Sequence, residues 1–344
     1  MKKCKVFLTS AMLVAAVAGA NTVRADDAVV KGATVTIKKT VNLTDEETLM
    51  PNTSFNFTVE PVASASGEKD NLTIYPGEAL PKQAIKVEYT NSDKTKDKEK
   101  EAKVDFSSVV FPKAGIYRYI VKETDNKIPG ITYDVKEYEV DVYAYDNGNG
   151  KIVANYVVSH EKGKEAKEPI QFNNKLKTTT LTIHKIVTGN AGDRERDFDF
   201  TLELLANEQF AKGQKVTLTK QSKGEKPGAT TSVVATIGEA TSFKLKDGES
   251  VVLDKLPIGI SYKVNETKVD GYTTTAQLLE ATKEATEYKL DTEQKSDDTA
   301  DTITVTNNKE GIVPTGVVNT IAPFAALAIV AIGGSLYFVK RKKA

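Results

Sequence analysis

Between residues 34 and 307, apolar side chains recur at every second position in short runs, at 34–41, 54–60, 116–123, 136–145, 151–158, 180–187 and 302–307. Successive side chains of an extended chain point to opposite faces, so a period of two gives a strand with one apolar face. The runs are rich in Val, Ile, Thr, Tyr and Phe, which suit a pleated, half-buried surface. This pattern predicts an all-β fold, built as β-sandwiches that bury their apolar faces against one another. Asp146-Asn147-Gly148-Asn149-Gly150 predicts a turn between two strands. It lacks the acidic spacing and terminal Glu of a calcium-binding EF-hand loop, and no metal is expected there. Residues 91–103 and 161–168 read as charge-rich loops, and the acidic stretch 284–301 as a segment that frays or forms a short helix.

The pattern occurs twice. Each half is expected to open on a strand, Val35-Thr36-Ile37-Lys38-Lys39 or Leu181-Thr182-Ile183-His184-Lys185, and Phe55-Asn56-Phe57 matches Phe198-Asp199-Phe200. Each half closes on a similar run, Ile170-Gln171-Phe172-Asn173-Asn174 or Ile303-Thr304-Val305-Thr306-Asn307. Landmarks repeated in the same order predict two homologous domains in tandem, 26–176 and 177–310, dividing near Leu176 to Thr179.

Alternation also places a polar residue on each of six apolar faces. Lys39 shares a face with Val35, Ile37 and Val41, and Lys185 with Leu181, Ile183 and Val187. Glu123 follows Tyr117, Tyr119 and Val121, as Glu266 follows Ile260, Tyr262 and Val264. Asn174 follows Ile170 and Phe172, as Asn307 follows Ile303 and Val305. Burying such groups singly costs several kcal/mol, so they are expected to be buried together. Burial favours the neutral forms of both amine and carboxyl. A neutral Lys amine held beside an Asn carboxamide can attack its carbonyl carbon, while a protonated Glu polarises the oxygen and shuttles protons as ammonia leaves. The product is an intramolecular isopeptide bond. A buried Lys-Glu ion pair with Asn as a hydrogen-bond partner is the alternative that needs no chemistry.

The two ends alter the charge picture. Lys2, Lys3 and Lys5 precede an apolar stretch from Phe7 to Ala20, with small residues around Val23-Arg24-Ala25, and residues 1–25 read as a secretory signal peptide. Its removal takes Cys4, the one cysteine of the chain, so disulfides are excluded from the exported protein. At the other end, Val313-Pro314-Thr315-Gly316 precedes an apolar run from Val317 to Val339 and the basic cluster Lys340-Arg341-Lys342-Lys343. About 20 apolar residues suffice to cross a hydrocarbon core, and the basic cluster favours the cytoplasmic side. Eight of the 47 Lys and Arg lie in these terminal segments and none of the 47 acids do, so the part between them carries about −8. An acidic chain without a basic stripe is a poor nucleic-acid binder.

Two resemblances follow from these residues. The C-terminal order of tetrapeptide, apolar run and basic tail (311–344) resembles a sortase sorting signal. It implies cleavage between Thr315 and Gly316, with only transient membrane contact, and transfer of the Thr315 carbonyl to an amine. Tyr119-Ile120-Val121-Lys122-Glu123-Thr124 with Pro129-Gly130 and Tyr133, and Tyr262-Lys263-Val264-Asn265-Glu266-Thr267 with Gly271-Tyr272, resemble the E-box of Gram-positive pilins. Taken with its ends, the chain resembles the major backbone pilins of streptococci, of T-antigen type. That resemblance implies two Ig-like, CnaB-type sandwiches, with bonds Lys39–Asn174 assisted by Glu123 and Lys185–Asn307 assisted by Glu266. It also places the lysine that receives Thr315 of the next subunit in a Lys-x-Pro-Ile-Gln context, here Lys167, with Lys162 and Lys164 in the same loop as runners-up. The motif Tyr-Pro-Lys-Asn is absent.

The implied partners are a pilus-assembling sortase, identical subunits, and peptidoglycan or basal and tip pilins. The implied location is the cell wall and pilus. No cofactor is expected, and the chain lacks a phosphate loop or metal-ligand cluster that would suggest an enzyme. His160 is expected in a loop, and His184 and Lys38 on outward faces. The competing function is a monomeric wall-anchored adhesin that binds a host protein. Two domains without a large extra region argue for a shaft subunit.

Overall fold

The computed structural model describes residues 28–93, 99–222, 231–281 and 283–311. The expected signal peptide, the motif Val313 to Gly316 and the apolar run after it lie outside the described residues. In chain order the first six strands are β1 (Val29–Lys31), β2 (Thr34–Asn42), β3 (Thr53–Pro61), β4 (Glu68–Lys69), β5 (Leu72–Pro76) and β6 (Lys86–Tyr89). Then come β7 (Glu99–Asp105), β8 (Gly115–Glu123), β9 (Ile131–Thr132), β10 (Glu137–Asp146), β11 (Ile152–Glu161) and β12 (Ile170–Leu176). The second half opens with β13 (Thr178–Thr188), β14 (Phe198–Leu205), β15 (Lys215–Gln221), β16 (Thr231–Thr236), β17 (Ala240–Leu245) and β18 (Ser250–Pro257). It closes with β19 (Ser261–Glu266), β20 (Thr273–Glu280), β21 (Thr286–Glu287), β22 (Gln294–Lys295) and β23 (Asp301–Asn308). Among the described residues no helix is long and apolar enough to cross a membrane.

Each half is a sandwich of two sheets. In the first, β1-β11-β10-β8-β3-β6 faces β7-β2-β12-β9; in the second, β16-β15-β18-β13-β23-β20-β21 faces β17-β14-β19-β22. Most neighbours are antiparallel, but short β5 lies parallel to β8, and in the sheets of the site β2 lies parallel to β12 and β13 parallel to β23. A parallel pair needs a long crossover, and here almost the whole sandwich serves as that crossover. Separate cores fill the two sandwiches, one around Ile37, Tyr119 and Phe172 and one around Ile183, Tyr262 and Val305. A third, smaller cluster of Ile74, Ile116, Tyr143 and Val158 lies under β4 and β5. That cover makes β8 buried on both faces, which hides its alternation.

Four local expectations change. Residues 99–103 belong to edge strand β7, because Ala102 and Val104 turn into the core while Glu101, Lys103 and Asp105 face water. Charged outward positions are typical of an edge strand guarded against further pairing. The stretch 284–301 forms no helix; it carries the short strands β21 and β22. Two buried anchors hold it extended: the Tyr288 hydroxyl accepts from Val264 N–H at 3.1 Å, and Ser296 Oγ accepts from Gly259 and Ile260 N–H at 3.0 and 3.1 Å. His160 is not in a loop but buried in β11, with Nε2 3.6 Å from Glu139 across the ladder. Finally β1 precedes β2, so the Lys39 strand is the second of its sandwich.

Candidate functional site

The polar residues of β2 and β13 are buried by the alternation that buries their neighbours. In β13 every second residue from Thr179 to Val187 is buried, and Lys185 falls on that face as Lys39 does in β2. The parallel ladders set the asparagines. Lys39 lies opposite Phe172 and Val41 opposite Asn174, while Lys185 lies opposite Val305 and Val187 opposite Asn307. Each Asn is thus the same-face diagonal neighbour of its Lys, two residues along the adjacent strand. The glutamates come from the facing sheets, at the end of β8 and of β19.

The six residues predicted from the sequence therefore meet in two clusters. Lys39 Nζ lies 2.9 Å from Glu123 Oε1 and 3.2 Å from Oε2, and Asn174 Nδ2 donates to the same Oε1 at 3.0 Å. In the second cluster Lys185 Nζ lies 3.2 Å from both Glu266 oxygens, and Asn307 Nδ2 donates to Oε1 at 2.6 Å. Lys39, Lys185, Asn174 and Asn307 are fully buried. Burial outweighs the attraction of the carboxylate and lowers each lysine pKa to about 8. Burial likewise raises both glutamates above the ordinary carboxylate range, against the pull of the lysines.

One oxygen of each Glu touches both nitrogens, so it can carry a proton from the amine to the leaving amide nitrogen. This differs from the expectation that Glu polarises the carbonyl, since the carboxyl faces Nδ2 and not Oδ1. The Asn174 oxygen accepts instead from the backbone N–H of Asp134 at 2.8 Å. Asn307 Oδ1 is buried with no hydrogen-bond partner among the described residues.

Sequence reasoning missed Asp134 and two aromatic floors. Phe55 lies beneath Lys39 Nζ, 4.7 Å from the ring centroid, and Phe198 beneath Lys185 Nζ at 4.3 Å. The other Phe of each pair, Phe57 or Phe200, is the ladder partner of Glu123 or Glu266. The repeat Phe55-Asn56-Phe57 and Phe198-Asp199-Phe200 carried this signal: one ring covers the amine and the next positions the acid.

Away from the cores, Lys167 is exposed in the turn before β12, where it bridges His160. Among the described residues it has no ion pair, whereas Lys162 is 2.7 Å from Glu137 and Lys164 2.7 Å from Glu161. Asp146 Oδ1 accepts from Gly148 and Gly150 N–H and is used in closing its own turn. The two sandwiches touch: Lys255 Nζ lies 3.2 Å from Asp45 and 2.6 Å from Glu47.

Known proteins share this chain organisation. A family model described as a Spy0128-like isopeptide containing domain matches residues 35–177, and one described as a domain of unknown function matches 179–309. A pilin of Streptococcus pyogenes serotype M1 is 41% identical over 325 residues, spanning 92% of this chain and 93% of that protein. The structure of the major pilin T3.2 of S. pyogenes serotype GAS13637 superposes with a TM-score of 0.77 at 44% identity, over 82% of this chain and 99% of that one. A pilus tip adhesin of S. pyogenes, Cpa, is 32% identical over 139 residues, 40% of this chain but 18% of the adhesin. With end-to-end similarity to pilins and only partial overlap with the adhesin, this chain belongs to the streptococcal major pilins, structural subunits of surface pili.

Proposed function

We propose that this pilin is exported, folds as two domains (26–176 and 177–310), and closes one Lys–Asn isopeptide bond in each. A sortase then joins the Thr315 carbonyl to Lys167 of the next subunit. The observation that carries the internal bonds is the twofold recurrence of one geometry: a buried Lys, an Asn two residues along the parallel strand, and a Glu oxygen in reach of both nitrogens. Each cluster reacts once, on its own chain, so the chemistry matures the subunit and does not turn over substrate. Lys167 fits the acceptor role because its amine is exposed and lacks the carboxylate partners that occupy Lys162 and Lys164.

Polymer assembly separates the two kinds of lysine. Lys167→Ala is expected to fold, keep both internal bonds and remain monomeric on a blot of wall extract, where the wild type gives a ladder. Tryptic mass spectrometry of the wild-type polymer is expected to find Thr315 joined to the Lys167 side chain. A ladder from the variant would reassign the acceptor, with Lys162 and Lys164 tested next. A single wild-type band would favour the monomeric wall-anchored form.

A further inference from the structure

The two clusters have the same amine, acid and amide but differ at the oxygen where negative charge develops. Attack of a neutral Lys39 Nζ on Asn174 Cγ forms the Nζ–Cγ bond and moves the carbonyl electron pair onto Oδ1. A protonated Glu123 gives its proton to Nδ2 and takes one from Nζ, and ends as it began. The Oδ1 lone pair then restores the double bond as Cγ–Nδ2 breaks and ammonia leaves. Glu123 Oε1 is occupied by this relay, being 2.9 Å from Nζ and 3.0 Å from Nδ2. Another donor must serve Oδ1.

We propose, resting on the isopeptide reading, that the backbone N–H of Asp134 is the oxyanion donor of the first site, and that the second site closes without one and more slowly. At 2.8 Å the N–H lies within the range for donors that stabilise such an oxygen. The ladder explains why it is free. Strand β9 pairs with β12 only at Lys175 and Leu176, so opposite Asn173 and Asn174 the chain has left the sheet. There the Asp134 carboxylate stands in for a strand carbonyl, accepting from Asn173 N–H at 2.9 Å and from Lys136 N–H at 3.0 Å. These bonds fix the residue while its own N–H points to the Asn174 side chain. In the second sandwich β20 pairs with β23 over its full length, including Thr274 opposite Asn307. Asn307 Oδ1 accordingly has no partner among the described residues.

The test follows each bond as it forms. Full-length chain is translated in vitro in a short pulse, the pulse is stopped, and samples are digested over time for mass spectrometry of both cross-linked peptides. In wild type the Lys39–Asn174 peptide is expected before the Lys185–Asn307 peptide; the reverse order overturns the proposal. Asp134→Pro deletes the N–H and is expected to slow the first bond by on the order of 10²-fold, as for loss of an oxyanion donor elsewhere, with the second bond unchanged. Asp134→Asn keeps the N–H but loses one of the two carboxylate acceptors that fix it, and is expected to slow the first bond far less than the proline variant does. The Asp134 carboxylate raises both Lys39 and Glu123, so both variants should move the limbs of the pH profile toward acid alike, while only the proline variant strongly lowers the maximum rate. A first bond at wild-type speed in Asp134→Pro, or an asparagine variant as slow as the proline one, overturns the assignment. If the proline chain does not fold, the wild-type order decides. Absence of both cross-links from mature wild-type protein would instead refute the isopeptide reading beneath it.

Discussion

The first and second clusters are alike in what they contain and unlike in what surrounds them. Each joins two parallel strands by a diagonal Lys–Asn pair and reaches across the sandwich for its Glu, with a phenylalanine beneath the amine. The first is bordered by a segment that has left the sheet and lends an N–H to the amide oxygen; the second is bordered by a continuous strand that keeps its N–H groups. The chemistry therefore belongs to the repeated triangle, while the flanking topology sets how well the oxygen is served. The clusters also sit differently in the proposed polymer. A load entering at Lys167 passes along β12 directly to β13 and bypasses the body of the first sandwich. In the second it must run from Lys185 to Asn307, through the proposed bond.

Force is where that contrast should be largest. Pulled between Lys167 and the C-terminal end, Lys185→Ala is expected to unravel the roughly 122 residues between the bonded positions, an extension of about 40 nm at about 3.3–3.6 Å per residue. Lys39→Ala pulled in this way is expected to release no such length. Pulled from the two chain ends, Lys39→Ala should release roughly 135 residues, about 45 nm by the same rule. Single-molecule stretching in both attachments checks this. Equal extension of both variants in the Lys167 attachment would break the contrast.

Stability should show the likeness instead. Asn174→Ala and Asn307→Ala each open a loop of more than 100 residues, and constraint of such a loop in the unfolded chain is worth about 4–5 kcal/mol. Each substitution is expected to lower the unfolding midpoint of its own sandwich by a similar amount, read by calorimetry. A large drop at one site and none at the other would mean that only one bond forms.

A smaller effect is expected from pH. The reacting pair holds one proton between Lys and Glu, so closure depends on that count rather than on either residue alone. Above about 8 the pair loses its proton, with both lysines at about 8, and the rate should fall. Toward acid the pair gains a second proton as the raised Glu titrates, and the rate should fall again. Pulse-chase mass spectrometry at several pH values checks the upper limb, which should coincide at the two sites. A rate still rising well above pH 8 would contradict the shared-proton relay.

Much of this was legible in the sequence because most strands of the site obey a period of two. In β13 the alternation from Thr179 to Val187 is unbroken, and it delivers Lys185 to the core without any knowledge of the partner strand. Other features depended on contacts distant in sequence. Strand β8 is buried on both faces only because β4 and β5 cover it, and the acidic stretch near Tyr288 is extended because β19 and β20 offer their backbones. Asp134 was invisible for the same reason: its role is carried by a backbone N–H, which no residue type announces, released by the shortness of β9. The roles of Phe55 and Phe198 lay in a repeat that the sequence displayed but whose geometry it did not.

The central claim is that both clusters react. Intact mass measurement of folded, full-length protein tests it most directly, since each bond releases one ammonia. The account predicts a wild-type mass below the sequence value by about two ammonias, roughly 34 Da, with Glu123→Ala and Glu266→Ala each restoring about half of that loss. A folded wild-type protein at its full sequence mass would contradict it.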